Sequence, residues 1–203
     1  MIDANEALTR LKEGNERFVA GVRSVDTMIK QHQRADFVQG QEPFAIILGC
    51  SDSRVPAEIV FDQGLGDLFV IRVAGNIVAP SQIGSVEFAA DRFGTALVVV
   101  LGHSNCGAVS ATIEALEQPS EEASSNVMSI VKRIRPTVEP LFATELRNDR
   151  ERLMSSCIRA NILAATNHLT HGSQLLENMV QKGQLKIVGA EYSLETGVVE
   201  FFE

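Results

Sequence analysis

The chain of 203 residues carries 18 Lys plus Arg against 26 Asp plus Glu, a net charge of −8, and its 45% apolar fraction is enough for a sizeable core, so we expect one domain over 1–203. No basic block or aromatic-basic stripe occurs, which excludes the electrostatic footprint of a nucleic-acid binder. Three cysteines, Cys50, Cys106 and Cys157, form no closely spaced pair, which argues against a disulfide framework or a CxxC redox motif and leaves thiol chemistry or metal binding.

The opening "MIDANEALTRLKEGNERF" has neither the positively charged start nor the apolar stretch of a signal peptide. No apolar run approaches the ~20 residues of a spanning helix, so a soluble, cytoplasmic protein without a membrane partner is expected. From Asn5 to Val19 apolar residues fall at Ala7, Leu8, Leu11, Phe18 and Val19 with helical spacing, and Gly21 makes a stop. "VDTMIKQHQRADFVQG" predicts a second helix. Residues 1–40 thus read as a helical arm suited to packing on a partner subunit, and 41–203 as an α/β core.

Three short apolar runs follow, "FAIILGC", "DLFVIRVAGN" and "TALVVVLGH", each ending in Gly or a polar cluster, the pattern of buried parallel strands. Between the second and third, "SQIGSVEFAADRFG" is helical with a Ser start and a Gly stop, and "GAVSATIEAL" gives a helix directly after the third. "GLGDLF" has two glycines before a strand but no strand-loop-helix context, so it reads as a tight turn rather than a dinucleotide fingerprint. "QPSEEASSN" reads as a surface loop. Helical sequence then runs from about Val127 to Gly172, followed by "SQLLENMVQKG" and two strand-like runs in "LKIVGAEYSLETGVVEFFE" joined at "ETG". The fold class is α/β, a mainly parallel central sheet of four to five strands flanked by helices, with N-terminal helical arms.

In open α/β sheets ligands bind beyond the carboxyl ends of the strands. Cys50 in "GCSDSRVP" follows the first run and "GHSNCGA" follows the third, so two chemically rich turns should meet. Free cysteines taken singly are commonly buried and inert. Three zinc-compatible residues, Cys50, His103 and Cys106, at two adjacent strand ends form a Cys2His set suited to Zn2+. Asp52 is a candidate fourth ligand, but Arg54 is placed to compete for its carboxylate through a paired, charge-assisted hydrogen bond; if Arg54 wins, the fourth position stays open as in catalytic zinc sites.

Two thiol alternatives fit less well. A phosphatase loop needs a longer cradle than the three residues between Cys50 and Arg54, and a Cys–His hydrolase would leave one thiol unexplained. Cys157, in "LMSSCIRANIL", reads as a core residue. His168 and His171 read as a solvated helix terminus without a third ligand, and isolated His32 carries no signal.

"CSDSRVP" and "GHSNCGAV" resemble the two signature motifs of β-class carbonic anhydrases, zinc enzymes that interconvert carbon dioxide and bicarbonate. The resemblance extends through "FDQGLGDLFVIRVAGNIV" and "GSVEFAADRFG" to "VGAEYSLETGVV". It implies that Cys50, His103 and Cys106 bind one Zn2+ per subunit and that Asp52 and Arg54 form the family's carboxylate–guanidinium dyad. It further implies that Gln41 helps hold bicarbonate, that Phe69, Ala74 and Phe88 wall the pocket, and that Gly107 supplies a backbone N–H to the substrate. Phe88 often has a Tyr counterpart in the family. Arg72 and Tyr192 correspond to two residues of a secondary bicarbonate site in some members, but Ile47 stands where its Trp is expected and this chain has no Trp.

The expected activity is reversible hydration of carbon dioxide by zinc-bound hydroxide, with Asp52, held by Arg54, accepting a hydrogen bond from the hydroxide and so aiming its lone pair at carbon dioxide. Asp52 could instead swing onto zinc in a closed, inactive state. Two further readings stay open: a carbonyl sulfide or carbon disulfide hydrolase using the same site, and a non-catalytic zinc-stabilised binding protein. The resemblance also implies self-association as a homodimer or dimer of dimers.

Overall fold

A computed structural model describes residues 2–32, 38–118 and 124–202. Helix α1 (Ala4–Val19) starts where the Asp3 carboxylate accepts hydrogen bonds from the Asn5 and Glu6 N–H groups at 2.8 and 2.9 Å, and it buries Ala7, Leu8 and Leu11. Helix α2 (Val25–His32) is shorter than the sequence suggests: residues 38–39 form a bend, and 33–37 lie outside the described residues. The predicted surface loop at 118–126 is described only at its flanks.

Strand β1 (Ala45–Gly49) is buried along its whole length, as is β3 (Leu97–His103). Their unbroken Val, Ile and Leu content is what a strand covered on both faces requires. Between them come α3 (Ala57–Val60), β2 (Leu68–Arg72), a 3-10 turn (Ala74–Asn76) and α4 (Pro80–Phe93). Pro80 opens α4 with its preset φ, and Gly94 closes it in the left-handed conformation at φ 61°. Helices α5 (Gly107–Glu117), α6 (Ser125–Phe142), α7 (Arg150–His171) and α8 (Gln174–Gln181) lead to β4 (Lys186–Tyr192) and β5 (Val199–Phe202). A short 3-10 turn at Glu145–Asn148 separates α6 from α7.

The sheet order is β2-β1-β3-β4-β5, parallel except for β5, which returns antiparallel to β4. Alternate residues of the central strands feed two cores. Ile46, Leu48, Val98 and Val100 face α4 to α7, whereas Ala45, Ile47, Leu97, Val99 and Leu101 face α1 and α3. Chain order reverses between β1 and β3, because β1 has β2 on one side and β3 on the other. This is the switch point at which the carboxyl ends of an open α/β sheet part to form a crevice.

Helix α7 lies unusually close to that end. A Cβ added to Gly102 on β3 would collide with the Ile162 side chain, and one added to Gly189 on β4 would sit 2.9 Å from Ile162 Cγ2. The two glycines therefore form a seat for Ile162, which fixes α7 along its axis. The "GLGDLF" segment is a tight turn, with Gly66 at φ 79° and the Gly64 N–H donating to Asp67 Oδ2 at 2.8 Å. No helix among the described residues is long and apolar enough to cross a membrane.

Candidate metal centre

Cys50 follows β1 directly and His103 ends β3, so parallel pairing of the two strands brings them together. Asn105, at φ 56°, turns the chain back in a left-handed conformation that Asn tolerates, and Cys106 lands at the N-cap of α5. The ligand atoms of Cys50, His103 and Cys106 all lie within 4.8 Å of one another, and the three residues are buried. They form the only such group of three among the described residues.

The hydrogen bonding fits a metal. His103 Nδ1 lies 2.9 Å from the Ser104 carbonyl, which selects the tautomer carrying its proton there. The other nitrogen, Nε2, is left buried with no hydrogen-bond partner. A buried lone pair without a partner is costly, and a metal ion would satisfy it.

The two thiols differ. The Cys50 pKa falls well below the usual thiol range, chiefly because Cys106 hydrogen-bonds to it, with His103 and the Gly75 N–H adding to the effect against the opposing cost of burial. Cys106 is pushed up, first by its hydrogen bond with Cys50 and then by burial, although the Val109 and Ala108 N–H groups at the start of α5 work the other way. Burial disfavours protonation of His103, yet the Cys50 sulfur beside it raises the imidazole pKa overall. The shifts favour ionisation of one thiol and oppose it at the other; a metal ion bound by both sulfurs would release the remaining thiol proton.

Asp52 pairs with Arg54 at two points, Oδ1 to Nε at 2.9 Å and Oδ2 to Nη2 at 2.7 Å, and the Arg54 backbone N–H donates to Oδ1 at 3.0 Å. The side-chain bond to Arg54 is the main reason the Asp52 carboxyl lies far below the usual carboxylate range. Its Oδ2 remains 3.8 Å from His103 Nε2. The carboxylate therefore borders the cluster while being held by the guanidinium.

Two supports escaped the sequence reading. Arg72 donates from Nε to the Cys50 carbonyl at 2.9 Å and from Nη2 to the Asp52 carbonyl at 2.6 Å, so it clamps the loop that carries both residues. The Gly75 N–H donates to Cys50 Sγ at 3.3 Å. A glycine after the strand in "RVAGN" hints at a special turn, but nothing in the sequence says what that turn touches.

Ala74 stands beside Gly75 in the 3-10 turn, and Gly107 follows Cys106 with open space where a Cβ would be. Gln41, Phe69 and Phe88 are elsewhere in the chain. Gln41 lines a cavity with Arg10, Lys30 and Phe44 at the amino end of β1, and a five-residue strand, about 16 Å long, separates that end from Cys50. Phe69 and Phe88 cluster with Phe93, the Phe69–Phe88 rings tilted at a centroid distance of 6.3 Å and the Phe88–Phe93 rings edge-on at 5.6 Å. Tyr192 is buried opposite His103, Ile47 is fully buried in β1, and Cys157 is fully buried on the inner face of α7. His168 and His171 end α7, where His171 meets Glu177 at 3.0 Å.

Residues 45–199 match the family model described as carbonic anhydrase. Carbonic anhydrase 2 of Mycobacterium tuberculosis is 40% identical over 187 residues, covering 92% of this chain and 87% of its own. The carbonic anhydrase of Mycolicibacterium smegmatis is 39% identical over 190 residues, with 94% and 89% covered. Among solved structures, the β-carbonic anhydrase CcaA superimposes with a TM-score of 0.78 at 26% identity, covering 97% of this chain and 87% of that one. A β-carbonic anhydrase of Aspergillus fumigatus gives 0.76 at 23% identity over 87% of this chain and 83% of its own. The chain belongs to the β-class carbonic anhydrase family.

Proposed function

We propose that this chain is a zinc-dependent carbonate dehydratase that interconverts carbon dioxide and bicarbonate. The observation that carries the reading is the buried Cys50–His103–Cys106 cluster with an unpartnered His103 Nε2, bordered by a carboxylate that Arg54 holds aside. Cys50, His103 and Cys106 would hold the ion. When bound, Zn2+ supplies the Lewis acidity that makes water a nucleophile near neutral pH.

The chain's own groups do the rest. Asp52, kept ionised by Arg54, accepts a hydrogen bond from the attacking water, takes part in placing its proton and leaves a lone pair aimed at the substrate carbon. In this reading the Gly107 N–H at the start of α5 donates to a substrate oxygen, and the small Ala74 side chain forms part of the pocket wall. Arg72 keeps the Cys50–Asp52 loop in register. Gln41 lies at the opposite end of β1 from Cys50, and Phe69 and Phe88 pack with Phe93, so in this reading a second copy delivers all three across a homodimer or dimer of dimers. That arrangement would turn an exposed Phe88, 55% accessible in the single chain, into a dry pocket wall.

Carbonyl sulfide and carbon disulfide share the linear shape of carbon dioxide. Stopped-flow hydration of carbon dioxide, run beside hydrolysis of each sulfur analogue, tests the assignment. Faster turnover of carbon dioxide supports it; turnover confined to a sulfur analogue would replace it.

A further inference from the structure

The Cys50 sulfur receives a backbone hydrogen bond that no residue in the signature motifs explains. Its donor, Gly75, sits in a turn with φ 69°, a conformation glycine adopts without penalty. Two groups hold that turn. From below, Ile134 and Ala108 leave no space for a side chain, since an added Cβ at Gly75 would lie 2.7 Å from Ile134 Cδ1 and 2.9 Å from Ala108 Cβ. From above, Asn161 on α7 donates from Nδ2 to the Gly75 carbonyl at 2.9 Å, a bond that spans 86 residues of sequence.

Asn161 is 5% exposed and precedes Ile162, the residue seated on Gly102 and Gly189. The helix is thus fixed by the Ile162 side chain and reaches the turn with the preceding one. A buried amide is expensive unless bonded, and here its donor is spent on one carbonyl beside the metal cluster.

We propose that Asn161 is a positioning residue for the metal centre: by anchoring the Gly75 carbonyl it keeps the Gly75 N–H on the Cys50 sulfur. A hydrogen bond to a thiolate withdraws electron density from it, so the sulfur donates less charge to the metal and the metal remains a stronger Lewis acid. The inference rests on the metal reading given above.

The test uses Co2+ in place of zinc, because thiolate-to-cobalt charge-transfer absorption reports the donor strength of the sulfurs. Asn161→Leu removes the donor at similar size, and Asn161→Asp keeps the shape but loses the Nδ2 donor, so either one that folds gives a reading. Each should still bind one metal per chain, move the charge-transfer band to lower energy, speed hydrogen exchange at the Gly75 amide, and lower kcat about 10-fold with little change in KM, within the roughly 10–100-fold range of outer-shell substitutions. Ile162→Val, which trims packing on the same helix but keeps the amide, should lower the melting midpoint and leave the band in place. A normal wild-type band that stays unmoved in a folded, metal-loaded Asn161 variant overturns the inference alone. A wild-type protein with no thiolate band overturns the metal reading, and this inference with it.

Discussion

The Asp52 carboxylate meets the Arg54 guanidinium at two points, 2.9 and 2.7 Å, while one of its oxygens stays 3.8 Å from the unpartnered nitrogen of His103. In the proposed reading this relationship would make Asp52 a neighbour of the metal position rather than a member of its ligand set. Asp52→Ala should therefore keep one zinc per chain and lose kcat by about 10²-fold or more. Arg54→Ala should lower kcat too, because the freed carboxylate can turn toward the metal. Metal analysis on the same samples separates the two effects, and loss of zinc from Asp52→Ala would contradict the placement.

Cysteine accessibility gives an independent check. Burial pushes the Cys157 thiol up to about 11, so it should resist thiol reagents in the folded protein. Cys50 and Cys106 should be silent with metal bound and react after chelation, giving two titratable thiols rather than three. Cys106→Ser should fail to retain zinc, because a hydroxyl replaces one of the two thiolates of the set.

The Ile162 seat predicts a strong coupling. Gly102→Ala should destabilise by about 1–3 kcal/mol through overpacking, and Ile162→Ala by about 2–5 kcal/mol through a cavity. Together they should cost at least ~1 kcal/mol less than the sum, since the truncated side chain makes room for the new methyl. Urea unfolding of the four proteins measures the cycle. Additive effects would show that α7 does not rest on Gly102.

Glu191 supplies a pH prediction. It is half-buried on β4 directly opposite Glu200, and burial above all raises its pKa, with Arg159 opposing and Glu200 adding to the rise. The native state thus binds this proton more tightly than the unfolded chain does. Stability falls as pH rises from the ordinary glutamate range through the raised value. Glu191→Gln should raise the melting midpoint by ~1–3 °C near about pH 8 and have no effect near about pH 3, below the ordinary glutamate range, where the side chain is protonated in both states. An equal gain at both pH values would mean that packing, not charge, is the cause.

Much of this was legible in the chain. The apolar runs at 44–50, 67–76 and 95–103 are β1, β2 and β3; β1 and β3 are buried throughout, as strands covered on both faces must be, whereas β2 lies at the sheet edge and is buried only in part, and the ends of β1 and β3 mark where Cys50 and His103 meet. Helix α2 was overextended: polar residues with periodic apolar neighbours continue past His32, and periodicity alone does not show where a chain bends. The roles of Arg72 and Asn161 were hidden for another reason. Each acts on a backbone carbonyl, and a carbonyl leaves no mark in the sequence. The distance of Gln41 from the cluster was also unreadable, since Gln41 precedes the amino end of β1 and Cys50 follows its carboxyl end.

The central claim is that the Cys50–His103–Cys106 cluster holds a zinc ion that hydrates carbon dioxide with the help of Asp52. Stopped-flow hydration, measured on one preparation as isolated, after chelation and after zinc is restored, with metal content determined at each stage, tests it directly. The account predicts one zinc per chain and turnover that disappears and returns in proportion to it. Full zinc occupancy without hydration, or hydration that persists in the metal-free protein, would contradict it.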